Sequence, residues 1–180
     1  PQSAIGSFHP EASEVPPTGH LTPATVRPGD TAALTLTLTP AANWHVYAHA
    51  DRDDQVGSKP TLIAFDKLSG LEASRPTTAK PIVTDDSVPE FGPMHYHKGT
   101  VTWTVPIRVP ADATPGAHAI SGVVGFQACE TRDDGLGSCE LPKGVHFATT
   151  LTVGDAIANA PAGVSFTTAT YKDAADTAAA

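Results

Sequence analysis

An all-β sandwich is the fold class that this 180-residue sequence predicts, on three observations. The chain contains 17 Pro and 15 Gly, which break helices and mark turns. Several segments between these turns alternate apolar and polar residues, which is the period of a strand with one buried face. The apolar fraction of 40% is high enough to form a core, and the length suits one domain.

The clearest strand covers residues 32–39, where Leu34, Leu36 and Leu38 share one face and Thr residues occupy the other. Pro106 falls inside a second alternating segment, which predicts an edge strand or a bulge at that point. Further strands are predicted at 44–49, 61–65, 100–109, 117–126 and 145–153. Short strands at this spacing are typical of an immunoglobulin-like β-sandwich.

The two ends of the chain have a different composition. Residues 1–19 mix Ser, Pro, Glu and Gly without periodicity and are interpreted as an extended arm or linker, and the sandwich domain is assigned to 20–155. Residues 156–180 are Ala-rich and are interpreted as a tail or linker, with 172–180 as a short helix or, more often for such a terminus, frayed coil. The start at Pro1, without a basic and apolar leader, permits export of the protein.

Charge and motifs exclude several function classes. Lys and Arg number 11 against 19 Asp and Glu, a net charge of −8 without a basic cluster, so nucleic acid is a poor partner. The apolar runs are far shorter than the roughly 20 residues that cross a bilayer. Motifs of serine hydrolases, zinc proteases and phosphate-binding loops are absent from the sequence, which gives hydrolase and nucleotide functions no support.

The chemistry-bearing residues are the two cysteines, Cys129 and Cys139. Nine residues separate them, which excludes a C-x-x-C turn, and two thiolates cannot complete a tetrahedral zinc site. Pairing across a hairpin-like loop is the simplest outcome. Such a disulfide could be a structural staple or, because a peripheral bond is open to attack by another thiolate, a site of exchange.

Five segments resemble the N-terminal domain of the thiol:disulfide interchange protein DsbD, over about residues 31–153. They are WHVY at 44–47, PEFG at 89–92, TVTWTVP at 100–106, GFQAC at 125–129 and CELP at 139–142. The resemblance implies an immunoglobulin-like periplasmic domain whose cysteine pair alternates between disulfide and dithiol. It also implies that no cofactor other than this pair is needed.

The same resemblance implies the partners and the division of roles. A thioredoxin-like domain of the same full-length protein, supplied by a membrane domain, would donate electrons, and periplasmic thioredoxin-like proteins would accept them. Cys139 would form the mixed disulfide and Cys129 would resolve it. Tethering to the inner membrane would then follow from the full-length chain.

Four further residues align with positions around the cysteines of that family, and three of them match. Phe91 would be a cap that shields the pair, and Tyr47 and Glu90 would supply a hydroxyl and a carboxylate beside the sulfurs. His45 stands where the family has an aromatic residue.

The charges of the loop predict a weak nucleophile. Glu130, Asp133 and Asp134 outnumber Arg132, and like charge disfavours a thiolate. A Cys thiol with an ordinary pKa of about 8.5 is already mostly protonated at neutral pH.

The alternative is a non-catalytic exported sandwich that binds a protein or a metal. Four imidazoles could hold copper or zinc, and the simpler interpretation is that each is only a polar aromatic side chain without a metal. They are His45, His49, His95 and His97. The sequence lacks the ligand pattern of a blue-copper site, and Asp51, Asp53 and Asp54 are out of register for an EF-hand.

Overall fold

The computed structural model describes residues 15–133 and 137–180, and the fold is an all-β, immunoglobulin-like sandwich, which confirms the predicted class. In chain order the strands of these residues are β1 (Pro17–Thr22), β2 (Thr25–Val26), β3 (Thr31–Leu38), β4 (Trp44–Tyr47), β5 (Leu62–Lys67), β6 (Glu72–Ala73), β7 (Val83–Asp85), β8 (Met94–Lys98), β9 (Val101–Arg108), β10 (Gly116–Phe126), β11 (Ala128–Glu130), β12 (Lys143–Val153), β13 (Ala162–Gly163) and β14 (Ser165–Ala169). A 3₁₀ turn covers Pro89–Phe91, and the helix α1 covers Tyr171–Ala179.

Two sheets enclose the main core. The first has the order β13-β1-β3-β9-β6 and the second the order β14-β12-β10-β5, with β2 parallel to β12. The alternation in β3 places Leu34, Leu36 and Leu38 in the core at 3% exposure or less, as predicted. Trp103 of β9 and Phe147 of β12, each 1% exposed, are the largest side chains that are fully buried with them.

The prediction from Pro106 is wrong. The strand β9 lies between β3 and β6 in continuous register with β3, so it is neither an edge strand nor bulged there. The Pro106 carbonyl accepts a hydrogen bond from Ser74 N at 2.9 Å. Since the nitrogen and carbonyl of one strand residue point to the same side, the missing N–H faces the short strand β6, where little pairing is lost.

A third, smaller sheet has the order β11-β4-β8-β7 and carries the cysteines. The chain enters it directly from the second sheet, because Gln127 alone separates β10 from β11. The strand predicted at 44–49 ends at Tyr47, and its four residues are all buried. This sheet therefore places β11 and its cysteine beside the aromatic residues of β4 and β8.

The structure corrects the interpretation of both ends. The strand β1 begins at Pro17, within the expected arm, because it pairs along its whole length with β3. Residues 156–180 form β13, β14 and α1 rather than a tail or linker. A capping box of Thr170 and Asp173 begins α1, and buried Tyr171 and Ala174 pack it onto the second sheet. Residues 1–14 lie outside the described residues.

None of the helices in the described part of the chain is long and apolar enough to cross a bilayer.

Replacing Gly125 with Ala tests the docking of α1. An added Cβ would lie 2.7 Å from Ala174 Cβ, so the helix has to shift, and we expect the free energy of unfolding to fall by about 1 to 3 kcal/mol. Gly163→Ala is the matched control, because its Cβ would meet nothing within 4 Å. Urea denaturation of both variants measures the difference. Equal stabilities would contradict a packed helix.

Candidate functional site

Cys129 and Cys139 form a disulfide at the end of the third sheet, with an S–S distance of 2.09 Å and Cα atoms 4.1 Å apart. Cys129 lies on β11, and Cys139 faces it as an isolated antiparallel bridge. Two backbone hydrogen bonds flank the pair, from Glu130 N to Ser138 O at 2.8 Å and from Glu140 N to Ala128 O at 2.9 Å. The sulfurs are therefore brought together by a locally paired loop rather than by a link between the two main sheets.

The two sulfur-bearing residues differ in exposure. Cys129 is 2% exposed and packs with Tyr47 and Tyr96, whereas Cys139 is exposed to solvent. A thiolate from another molecule can therefore approach Cys139, while Cys129 is shielded behind it. Exchange requires this access, because the attacking thiolate must reach one sulfur of the bond.

A cavity of about 200 Å³ adjoins the disulfide, and we call it the cysteine pocket. Both cysteines line it, together with His45, Tyr47 and Tyr96 from β4 and β8, Phe91 from the 3₁₀ turn, and Asp85, Glu130 and Arg132. The pocket thus collects residues from the whole third sheet and from the turn beside it.

His45 is the polar residue nearest to Cys129 in the sheet register. The two face each other across the β4–β11 ladder, so their side chains share one face. The imidazole stacks on Tyr96 with ring centroids 4.0 Å apart, and it hydrogen-bonds Thr131 Oγ1 at 2.7 Å and the Tyr47 hydroxyl at 3.3 Å. Burial lowers the pKa of His45 to about 4. The ring beside the disulfide is therefore neutral at pH 7.

Tyr47 supplies a hydroxyl to the cysteine pocket. Its side chain is buried, and its ring makes edge contacts with the rings of His45 and Tyr96. Burial raises the pKa of Tyr47, and a hydrogen bond with Ser58 offsets this only in part. The phenol is protonated at neutral pH and can donate a hydrogen bond toward charge that develops in the pocket.

Among the described residues, the carboxylate that reaches the cysteine pocket from outside the cysteine loop is Asp85. Hydrogen bonds from Ser87 lower the pKa of Asp85, so this group stays charged. Glu90, the carboxylate expected at the sulfurs, lies in the wall of a neighbouring cleft instead. Sequence reasoning missed Asp85 because no local motif marks it; its place depends on the pairing of β7 with β8, opposite Met94.

The structure describes some, but not all, of the charged residues expected in the cysteine loop. Glu130 and Arg132 both line the cysteine pocket. Asp133 is exposed at the start of the turn, and Asp134 lies outside the described residues. Asp85 and Glu130 line the pocket in which a thiolate would gain negative charge, and like charge raises the free energy of that charged form.

Phe91 lies at the wall between the cysteine pocket and a larger cleft of about 570 Å³, which we call the side cleft. Its ring is 47% exposed and packs on Gly57, whose added Cβ would be 3.1 Å from the ring. Gly57 has φ +95°, a conformation that favours glycine and lets the loop pass close beneath the ring. The position is consistent with a cap that limits access to the pocket from one side.

Replacing Phe91 with Ala tests this cap. We expect the reduced cysteines to react with iodoacetamide about threefold faster or more, because the change opens one wall of the cysteine pocket. Val56→Ala is the control, since Val56 lines the side cleft and not the cysteine pocket. Mass spectrometry of quenched samples gives the rates, and equal rates for the two variants would rule out a shielding role.

The four imidazoles considered for metal binding have separate neighbours. His95 hydrogen-bonds Thr84 Oγ1 at 3.1 Å, and buried His97 hydrogen-bonds Pro81 O at 3.0 Å. His49 and His95 line the side cleft, whereas His45 lines the cysteine pocket. Across residues 15–133 and 137–180, no group of three or more His, Cys, Asp or Glu side chains lies close enough to hold a metal ion.

Comparison with known families identifies a matching family model. The model of the N-terminal domain of the thiol:disulfide interchange protein DsbD matches residues 12–150, which include both cysteines and every residue of the cysteine pocket. Comparison with curated proteins finds no match. The family match covers well over half of the sequence and agrees with the predicted resemblance. The chain therefore belongs to the family of DsbD N-terminal domains, whose activity is thiol:disulfide interchange.

Proposed function

We propose that this domain carries reducing equivalents in the periplasm through the reversible Cys129–Cys139 disulfide, with Cys139 as the residue that partners attack. The observation that carries the proposal is the unequal exposure of the two cysteines, 2% for Cys129 against an exposed Cys139. Membership of a periplasmic interchange family supports the compartment and the class of chemistry.

Reduction of the domain proceeds in two exchange steps. A donor thiolate attacks Cys139 Sγ, the donor–Cys139 bond forms, and the Cys129–Cys139 bond breaks, so that Cys129 leaves as a thiolate. A second donor thiolate then attacks the donor sulfur of this mixed disulfide and releases Cys139. The donor becomes a disulfide, this domain becomes a dithiol after taking up two protons, and two electrons have moved.

Delivery of electrons to an acceptor reverses these steps. Cys139 as a thiolate attacks the acceptor disulfide, and Cys129 then attacks Cys139 Sγ to close the internal bond and free the reduced acceptor. Cys129 is suited to resolve because the paired loop holds it 4.1 Å from Cys139, measured between Cα atoms.

The residues of the cysteine pocket favour slow reaction of the cysteines in the free domain and faster reaction when a partner is docked. Asp85 and Glu130 oppose a thiolate by charge, so the reduced pair is a weak nucleophile in isolation. The protonated Tyr47 hydroxyl can donate a hydrogen bond to a thiolate that forms in the pocket, and the lowered pKa of His45 keeps the neighbouring ring neutral. A docked partner excludes water from this site and brings the more reactive thiolate.

The partners we propose are thioredoxin-like domains on both sides of the relay. The proposed donor is a thioredoxin-like domain of the same full-length protein, and a membrane domain of that protein supplies its electrons. This membrane domain tethers the relay to the inner membrane. The acceptors are periplasmic thioredoxin-like proteins, and the exposed apolar ring of Phe91 beside the disulfide gives them a contact.

A redox titration tests the proposal. The domain is equilibrated with mixtures of reduced and oxidised dithiothreitol, and the dithiol fraction is measured by alkylation and mass spectrometry. We expect a reduction potential above about −300 mV, within the range of exchange-active disulfides. A lower potential, with resistance to reduced thioredoxin-like domains, would instead indicate a structural staple in a non-catalytic binding domain.

A further inference from the structure

Gln127 bridges the cysteine loop to a second loop of the domain. It is the single residue between β10 and β11, and both the oxygen and the nitrogen of its side-chain amide form hydrogen bonds. Its Oε1 accepts a hydrogen bond from Lys59 N at 2.8 Å, and its Nε2 donates one to Glu140 O at 3.1 Å. Glu140 directly follows the exposed Cys139, so one end of the bridge is attached next to the sulfur that partners are proposed to attack.

The other end of the bridge, at Lys59 N, is close in the chain to the residue that contacts the Phe91 ring. Lys59 is two residues from Gly57, on which the Phe91 ring packs. Between them, Ser58 Oγ donates to Met94 Sδ at 3.6 Å, and Lys59 Nζ forms an ion pair with Asp53 at 2.8 Å. These contacts hold the segment 57–59, which we call the cap seat, as a defined surface under the ring.

We infer that Gln127 is a positioning residue that couples the cap to the cysteine loop. This inference rests on the proposed exchange at Cys139. Both partners of the amide are backbone atoms, so a displacement of residues 139–140 acts on the chain of the cap seat and not only on a flexible side chain. When an incoming thiolate draws Cys139 away from Cys129, the bond from Gln127 to Glu140 is disturbed, the cap seat loosens, and Phe91 is released from the pocket wall.

A double-mutant cycle on small-thiol reduction tests this coupling without any protein partner. The rate at which dithiothreitol reduces the disulfide is measured for the wild type, Gln127→Ala, Phe91→Ala and the double variant. We expect Gln127→Ala to raise the rate about two- to tenfold, the range set by losing a hydrogen bond. In the Phe91→Ala background we expect no further increase, because there is then no cap to release.

Two variants separate coupling from general loosening. Gln127→Glu keeps the acceptor for Lys59 N but loses the donor to Glu140 O, and we expect it to behave like Gln127→Ala. Thr149→Val removes a comparable hydrogen bond, from Thr149 Oγ1 to Gly163 O at 2.9 Å, in the second sheet away from the site. We expect Thr149→Val to leave the rate unchanged.

Three outcomes would overturn the coupling. They are an unchanged rate in Gln127→Ala, an equal increase with and without Phe91, and an increase of the same size in Thr149→Val. None of these depends on a thioredoxin-like partner, so they are distinct from a failure of the relay, which is detected by the potential and by protein-to-protein exchange. A domain could therefore exchange with its partners while lacking this coupling.

Discussion

A Cys129→Ser variant is expected to be captured by a thioredoxin-like domain through Cys139 much faster than a Cys139→Ser variant is captured through Cys129. Each variant is first treated with 5,5′-dithiobis(2-nitrobenzoate) to place a leaving group on its remaining thiol. A thioredoxin-like domain with a single active-site cysteine then displaces 5-thio-2-nitrobenzoate and forms the mixed disulfide. We expect at least about tenfold faster labelling and capture through Cys139, because Cys129 is 2% exposed and Cys139 is exposed.

The comparison of the two variants is internally controlled. Each has lost the same disulfide, which closes a sequence separation of 10, so each loses a similar stabilisation of about 2 to 3 kcal/mol. Matched unfolding curves would show that a difference in capture does not come from a difference in folding. Equal capture through Cys129 would contradict the assignment of Cys139 as the attacked residue.

The stability of the domain is expected to fall between pH 7.5 and pH 4.5 because of His45. Burial lowers the pKa of this imidazole from 6.5 to about 4 in the folded state. The unfolded chain therefore binds a proton as the pH falls through 6.5, while the folded chain resists it until about pH 4. The stabilisation is complete above pH 6.5, and about 2 to 3 kcal/mol of it is lost by pH 4.5.

His45→Phe isolates this contribution. The substitution keeps a ring against Tyr96 and removes the titrating group, so urea denaturation at the two pH values should show a fall that is smaller by about 2 to 3 kcal/mol. His95→Phe, on the neighbouring strand β8 with an exposed side chain, is the matched control and should retain the wild-type fall. The same fall in wild type and His45→Phe would show that the buried imidazole is not its source.

The sequence predicts the sandwich because its main strands alternate without interruption. Leu34, Leu36 and Leu38 specify a buried face by period alone, and the structure places them in the core. The sequence left residues 172–180 open between a short helix and frayed coil, because Ala side chains carry a weak periodic signal, and the structure has the helix. Gly125 and Ala174 let this helix approach the sheet closely.

The site was predictable where it depends on segments that are local in sequence. His45 and Tyr47 lie on β4, Cys129 lies on β11 with Cys139 bridged to it, and the structure brings all four residues to one pocket. The positions of Asp85 and Glu90 were not predictable in this way, because they depend on strand pairing and on the path of the chain after β7. The pairing of β7 with β8 brings Asp85 to the pocket, and the 3₁₀ turn places Glu90 at the side cleft.

Electron transfer between proteins is the most direct measurement of the central claim. The oxidised domain is mixed with an equimolar amount of a reduced thioredoxin-like domain, and the thiols of each chain are quantified by alkylation and mass spectrometry over time. We expect two thiols to appear on Cys129 and Cys139 as two disappear from the donor, faster than with the same concentration of dithiothreitol. A disulfide that stays intact while the donor stays reduced would contradict the account.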